Sequence, residues 1–513
     1  MIRSSAAAAL GALFVAAAGA WLVAGGWIDP QLVALRTTSV MARDVPGFVK
    51  ESLALAEPKP WLQLGALLEM LGGPTTLAVL PVLAVGVGGV LLGKWYEWLR
   101  SRGWNAGSAV GAIALLGVHP FTLWALSRTG PDILALAAFA IVTASIRHLA
   151  EERAARRVVS LSLVIACWSW IDPRFIYCAP ALLPLVIGSV PAKMVREAPS
   201  GLLLVLGVPV GGMLALSSWL GWASTGEWTA ALAALGSHVC DLATPESGSW
   251  LGPDGEHVLG TVGAGSAILL VGSPVLGWYV LRPGVSLRLA GVLVGACTIP
   301  LVGLATASIS GCSGHPLRFL FLAVAPVVAV LAECRTGPQR ATALGLLLLG
   351  VVSAWVWVAR SDEGEIVRWR TALLHRPLPE PHPGERALAA FLADGLPTLI
   401  DDRLGMPVVA ALGRADRLIL PPDPLFLEQV IARRPTVPQI AVPDPRRPGG
   451  ERDRLNRAFP DLWERGPPGG SWRLVYDRSG WRVWRREERG ADLVGPGPRS
   501  VPNPFGERRE TAS

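Results

Sequence analysis

The stretch ATALGLLLLGVVSAWVWVARSDEGEIVRWR, residues 341–370, decides the fold, because an apolar run ends in it at Arg360 and a charged segment begins. Before that arginine the chain alternates apolar spans with short loops and holds 21 Lys+Arg and 17 Asp+Glu in 359 residues. From it onward, 154 residues hold 25 Arg and 22 Asp+Glu. The composition predicts a polytopic membrane domain over 1–359, a soluble domain over 360–489, and a Pro-, Gly- and Arg-rich disordered tail over 490–513.

A lipid core asks for about 20 apolar residues per helix, since backbone polar groups there can be satisfied only within the helix. Eleven stretches are read as spans: 6–28, 75–93, 106–126, 131–146, 158–171, 175–190, 201–223, 261–281, 289–308, 317–331 and 341–359. The fold class is therefore mainly α, a transmembrane helical bundle with a C-terminal extracytoplasmic α/β domain. Lys94, Arg100, Arg102, Arg147, Arg153, Arg156, Arg157, Lys193, Arg196, Arg282, Arg288, Arg335 and Arg340 all fall in alternate loops, which the positive-inside rule makes cytoplasmic. The loops 29–61 and 224–260 and the whole tail then lie outside, and the expected location is a bacterial inner (plasma) membrane. A cleaved signal peptide is the other reading of the first span, with Arg3 before an Ala-rich run, although that run exceeds the usual 7 to 15 residues of an h-region.

The formal charge of +7 is loop charge plus a small tail excess, so it is no argument for nucleic acid, which is rejected as a partner. Of six cysteines, Cys167, Cys178 and Cys297 lie in spans and Cys334 on the cytoplasmic side. Cys240 and Cys312, in outside loops, are expected to form a disulfide. No Cys/His spacing suggests a metal.

In the tail, helices are read at 385–394, 406–412, 424–433 and 451–465, and strands at 397–401, 417–420, 439–442, 472–476 and 481–485. Alternating short strands and helices imply a small α/β layer. Asp401, Asp402, Asp423 and Asp444 follow the strands and are read as caps and turns rather than as ligands, because no Gly-rich phosphate loop accompanies them.

Charges at one membrane level mark a candidate site. On the outer face these are Asp29, Arg36, Arg43, Asp44 and Glu51, then Arg128 and Asp132, Asp172 and Arg174, and His315 and Arg318. Arginines can hold a phosphate by charge-assisted hydrogen bonds while a carboxylate takes a proton from an attacking hydroxyl.

Residues 61–71, the segment LLGVHPFTLWALSRTGPDILA at 115–135 and HPLRFLFLAVAPVVAVLA at 315–332 resemble the GT-C superfamily of integral-membrane glycosyltransferases, of the dolichyl-phosphate-mannose and aminoarabinose transferase type. The resemblance implies a polyprenyl-phosphate-linked sugar as donor, a glycan or lipid acceptor, contact with membrane lipids, and a first outside loop bearing an acidic catalytic residue. Asp132, Arg318, Phe319 and Pro326 fall at places that match the family, and the α/β tail resembles the outer domain that many such enzymes carry. The family often shows an adjacent acidic pair after the first helix, whereas here Asp29 in WIDPQ and Asp44 in ARDVPG stand apart. Asp44 is the first choice for the catalytic residue and Asp29 the second, since Pro30 makes Asp29 a plausible helix terminator. Arg174, Arg318, Arg128 and His315 are expected to meet the donor phosphate, supported by Asp132 and Asp172. No cofactor is assigned, and a divalent metal stays open. Two other classes remain: a non-catalytic GT-C-like envelope assembly or binding protein, and a transporter.

Overall fold

Runs of Ala, Leu and Val without charge satisfy their backbone internally, and the chain is mostly helical with one small sheet near its C-terminus. The structure, a computed structural model, describes residues 2–27, 37, 40–41, 43–45, 79–128, 131–151, 155–172, 174–190, 192–197, 199–225, 256–282, 285, 287–309, 316–362, 364–377, 382–393, 395–421, 423–433, 435–447, 450 and 453–487. The bundle comprises α1 (Ile2–Ala24), α2 (Val79–Ser101), α3 (Ala106–Val118), α4 (Pro120–Ser127), α5 (Pro131–Glu151), α6 (Ala155–Ile171) and α7 (Phe175–Ser189). It continues with α8 (Ala192–Glu197), α9 (Pro199–Thr225), α10 (Glu256–Gly272), α11 (Pro274–Leu281), α12 (Leu287–Ile309) and α13 (Leu317–Leu320). A 3-10 turn at Phe321–Ala323 leads into α14 (Val324–Glu333), and α15 (Gly337–Arg360) and α16 (Gly364–Leu373) follow.

Five of the described helices are long and apolar enough to cross a membrane: Ala6–Ala24, Pro81–Ser101, Asp132–Leu149, Leu289–Ala307 and Gly337–Arg360. Two bent pairs raise the number to seven if each is one span. The spans expected at 106–126 and 261–281 are these pairs, broken by 67° between α3 and α4 and by 79° between α10 and α11. Proline at the first position of α4 and of α11 explains both breaks, since its ring ends the preceding helix and suits the start of a new one. His119 joins the breaks. Its Nδ1 accepts from Phe121 N–H at 3.2 Å, so Nε2 carries the proton and donates to the Gly272 carbonyl at 2.8 Å. That carbonyl is one of the last of α10 and has no acceptor role within the helix.

The span expected to end at Gly93 runs on to Ser101. Trp95 and Leu99 keep a buried stripe there, while Lys94 and Glu97 pair at 2.8 Å on the exposed side. All residues of α4 and α14 are buried, which makes these two helices, with α5 against α14, the centre of the bundle. Helices apolar on every side belong in such a centre.

The tail contains α17 (Pro383–Leu392), β1 (Thr398–Leu399), α18 (Asp402–Leu412), β2 (Leu418–Ile419), α19 (Pro424–Ala432) and β3 (Gln439–Pro443). It ends with α20 (Arg454–Ala458), α21 (Leu462–Arg465), β4 (Trp472–Arg478) and β5 (Trp481–Arg486). The strand order is β2-β1-β3-β5-β4, with the first three parallel and β5 and β4 antiparallel. Successive strand residues face opposite sides, so Leu399 packs with Phe426, Ile440 and Leu455 while Ile400 packs with Leu388, Val408 and Val483. Met41 and Val45, from the segment after α1, complete the second of these cores. The helix expected over 451–465 is two short ones, interrupted beside Pro460. The stretch 490–513 and both Cys240 and Cys312 lie outside the described residues.

Candidate functional site

Six charges, five of them buried and Arg318 partly so, meet where α4 ends, α5 and α13 begin, α6 gives way to α7, and α16 packs on the bundle. Asp132, in the first turn of α5, takes Arg128 Nε at 2.8 Å on Oδ2 and Arg174 on Oδ1. Arg174 Nε lies 2.8 Å from Asp172 Oδ1, which also accepts from the Arg174 backbone N–H at 3.0 Å. Arg128 Nη1 reaches Glu365 Oε1 at 2.5 Å, and Arg318 Nη2 reaches Glu365 Oε2 at 3.1 Å. Arg174 Nη1 donates to the Arg318 carbonyl at 3.1 Å and closes the circuit. Three guanidiniums thus face three carboxylates, and Arg128, Asp132 and Asp172 are each at most 4% exposed.

Aromatic rings wall the cluster. Arg128 lies over Trp124 at 5.0 Å and Arg174 over Phe321 at 5.3 Å. Trp369 of α16 meets Trp124 edge-on at 5.4 Å, and its Nε1 donates to Ser127 Oγ at 3.1 Å. Trp27, just after α1, stands 6.3 Å from Trp124.

The structure therefore brings together Arg128, Asp132, Asp172, Arg174 and Arg318, all expected from the sequence. It places Asp44 elsewhere: Asp44 Oδ1 takes Arg43 Nε at 2.7 Å and Oδ2 takes the Ala415 N–H of the tail at 2.8 Å. Burial alone would raise the Asp44 carboxyl, but Arg43 and the Ala415 N–H hold it below its usual value. Asp29 and His315 lie outside the described residues.

No protein-family model and no curated protein matches this chain. The site must be read from its own chemistry. Glu365 is the member that sequence reasoning missed, because the rise in charge after Arg360 assigns it to the soluble domain. The signal was present: Ile366, Trp369 and Ala372 form a helical stripe, all buried against the bundle, and Glu365 is one turn before Trp369. A second buried pair was also missed, at the other end of α5 and α14, where Arg147 Nε meets Glu333 Oε1 at 2.8 Å beneath Trp98. Among the described residues, no group of three or more His, Cys, Asp or Glu is placed to hold a metal.

In the tail, Asp423 caps α19 by accepting from Leu425 N–H at 2.9 Å, Asp444 accepts from Arg446 N–H at 2.9 Å, and Asp401 accepts from Arg454 N–H at 2.6 Å. These are the cap and turn roles expected of strand-end aspartates; Asp453, which caps α20 through Leu455 and Asn456 N–H at 2.9 and 3.0 Å, adds one the sequence reading did not name.

Proposed function

We propose that the protein is a membrane glycosyltransferase that moves a sugar from a polyprenyl-phosphate donor to an envelope lipid or polysaccharide acceptor on the outer face of a bacterial inner membrane. The observation that carries this reading is the set Arg128, Arg174 and Arg318, the first two buried and the third partly so, gathered at a helix-end level and walled by Trp124, Trp369 and Phe321. Arginine forks suit phosphate oxygens, and a level at the ends of apolar helices suits a ligand whose phosphate sits at the lipid boundary. In this reading all eleven stretches cross or enter the membrane, the shorter ones Val158–Ser169, Tyr177–Ser189 and Pro199–Met213 among them, and the tail is extracytoplasmic.

The acceptor hydroxyl attacks the sugar's anomeric carbon, polyprenyl phosphate leaves with the bonding electrons, and a carboxylate takes the hydroxyl proton. Asp132, Asp172 and Glu365 are each committed to an arginine. Asp44 is committed to Arg43 and Ala415. We therefore assign the base to Asp29, whose neighbour Trp27 stands against Trp124.

The test compares envelope glycans and lipids by mass spectrometry in a strain lacking the protein, complemented with wild type or Asp29→Asn. A sugar-bearing product absent from the null strain, restored by wild type and not by the variant, is expected. Unchanged glycans in the null strain would remove the transferase reading and leave the non-catalytic assembly protein. The bends at His119 and Ser273 favour a transporter as the second reading, because interrupted helices in membranes often line substrate paths. Solute uptake lost from the null strain with intact glycans would establish it.

A further inference from the structure

We propose that Glu365 occupies the phosphate seat from within the chain, and that a singly charged isoprenyl phosphodiester enters by displacing Glu365, and helix α16 with it, from Arg128 and Arg318. The inference rests on the donor reading above. The two Glu365 oxygens each hold one guanidinium, Oε1 to Arg128 at 2.5 Å and Oε2 to Arg318 at 3.1 Å. Two non-bridging oxygens on one phosphorus present the same divergent pair of acceptors.

Charge separates Glu365 from the other carboxylates. Asp132 and Asp172 belong to the bundle itself, at the start of α5 and the end of α6, and they hold Arg174 between them. Buried charge is costly unless it is balanced, so a group that takes the place of Glu365 has to bring the one negative charge that Glu365 withdraws. Glu365 supplies it here, and a phosphodiester would supply it in the loaded state. A diphosphate would overfill the seat.

Placement makes the exchange mechanical. α16 joins the last bundle helix to the tail, and its polar bonds include Trp369 Nε1 to Ser127 Oγ at 3.1 Å, Arg370 Nη1 to the Val358 carbonyl at 2.9 Å, and Trp21 Nε1 to the Leu373 carbonyl at 3.0 Å. Releasing Glu365 loosens the one helix that carries the tail, so donor binding and tail position are coupled through competition for the same two arginines.

The experiment titrates methyl citronellyl phosphate, a soluble isoprenyl phosphodiester, into the full-length protein in detergent and reads affinity by calorimetry. Hydrogen exchange of residues 364–373 is followed in parallel. Glu365→Gln is expected to bind about ten-fold more tightly than wild type. Trp369→Phe, which loosens α16 without touching an ion pair, moves in the same direction by less. Wild type should show faster exchange over α16 at saturating probe, and citronellyl diphosphate should bind more weakly than the phosphodiester. If wild type binds the probe and Arg128→Ala does not, but Glu365→Gln is no tighter, the displacement is wrong and the donor seat stands. If no form binds the probe, the donor reading itself falls and the displacement falls with it. Should Glu365→Gln fail to fold, Trp369→Phe affinity and wild-type exchange decide, and α16 exchange that stays slow at saturation overturns the proposal.

Discussion

Asp44 ties the segment after the first helix to the tail. A carboxylate gripped by a guanidinium and a backbone N–H is a docking group, which is how Asp44 meets Arg43 and Ala415. On the proposed transferase reading, Asp44→Asn should keep turnover and loosen the contact with the tail by about 1.5 kcal/mol, the size of one charged hydrogen bond, read as faster hydrogen exchange at Ala415. Asp29→Asn should keep the fold and donor binding but lower turnover roughly 100-fold or more, as expected for a positioned base. Turnover lost in Asp44→Asn and kept in Asp29→Asn would exchange the two assignments. Asp453 offers a separate test by pH. Burial, and then the neighbouring Asp401 carboxylate, push it up to about 7. In the unfolded chain it loses its proton near about 3.9. Between these values the folded chain holds the extra proton, so this stability is full below about pH 4 and is lost as pH rises through about 7. Asn caps a helix about as well as Asp, so Asp453→Asn should keep α20 and flatten the fall of the tail's melting transition between pH 5 and pH 8. Equal slopes for both proteins would show that the carboxyl is not the cause.

At the level of elements, small residues let α1 and α2 approach closely. A Cβ on Gly89 would sit 2.6 Å from Ala12 Cβ, and one on Gly93 would sit 2.9 Å from Ala8 Cα. Gly89 and Gly93 are one turn apart, as are Ala8 and Ala12, so the two helices meet by the small-residue spacing that membrane helices use. Gly93→Leu should push them apart and lower thermal stability by roughly 1–3 kcal/mol, the range for overpacking, while the same change at Gly86, where a Cβ would meet nothing within 4 Å, should be near neutral. Such packing gives the first helix a place in the bundle. The elements of the tail were the most legible, because alternation in strands and turn residues between them are local signals: β3 was expected at 439–442 and is found at Gln439–Pro443. Helix bends were not legible from apolar length, since 106–126 reads as one run although Pro120 breaks it. The site was legible in its types and level but not in its partners. Arg128 and Asp132 announce themselves as charges between spans, whereas Glu365 and Met41 sit far away in sequence and join through tertiary packing that no local pattern records.

Across the whole molecule, α5 and the course from α13 through α14 run side by side in the same direction, and each carries a charge near both ends. α5 has Asp132 in the six-charge cluster and Arg147 in the opposite pair; the other course has Arg318 in the cluster and Glu333 in the pair. At 1.5 Å per residue, Asp132 and Arg147 stand about 22 Å apart, which fits inside the roughly 30 Å of a bilayer's hydrocarbon core. The signs are opposite at each level, so each end is neutralised between neighbours and neither demands a counterion from lipid. The unbalanced charge lies beyond the Arg147 end: Arg340 donates to the carbonyls of Cys334 and Arg102 there, and Arg100, Arg282 and Arg335 stand in the same turns. If positive loops stay in the cytoplasm, as the proposed topology has it, that end lies inside and the six-charge cluster, α16 and the tail lie outside. An alkaline phosphatase fused after Arg360 should therefore be active in cells, and one fused after Arg335 inactive. The reverse pattern would turn the molecule over, put the arginine seat at the cytoplasmic boundary, and leave an outward-facing donor with no way to reach it.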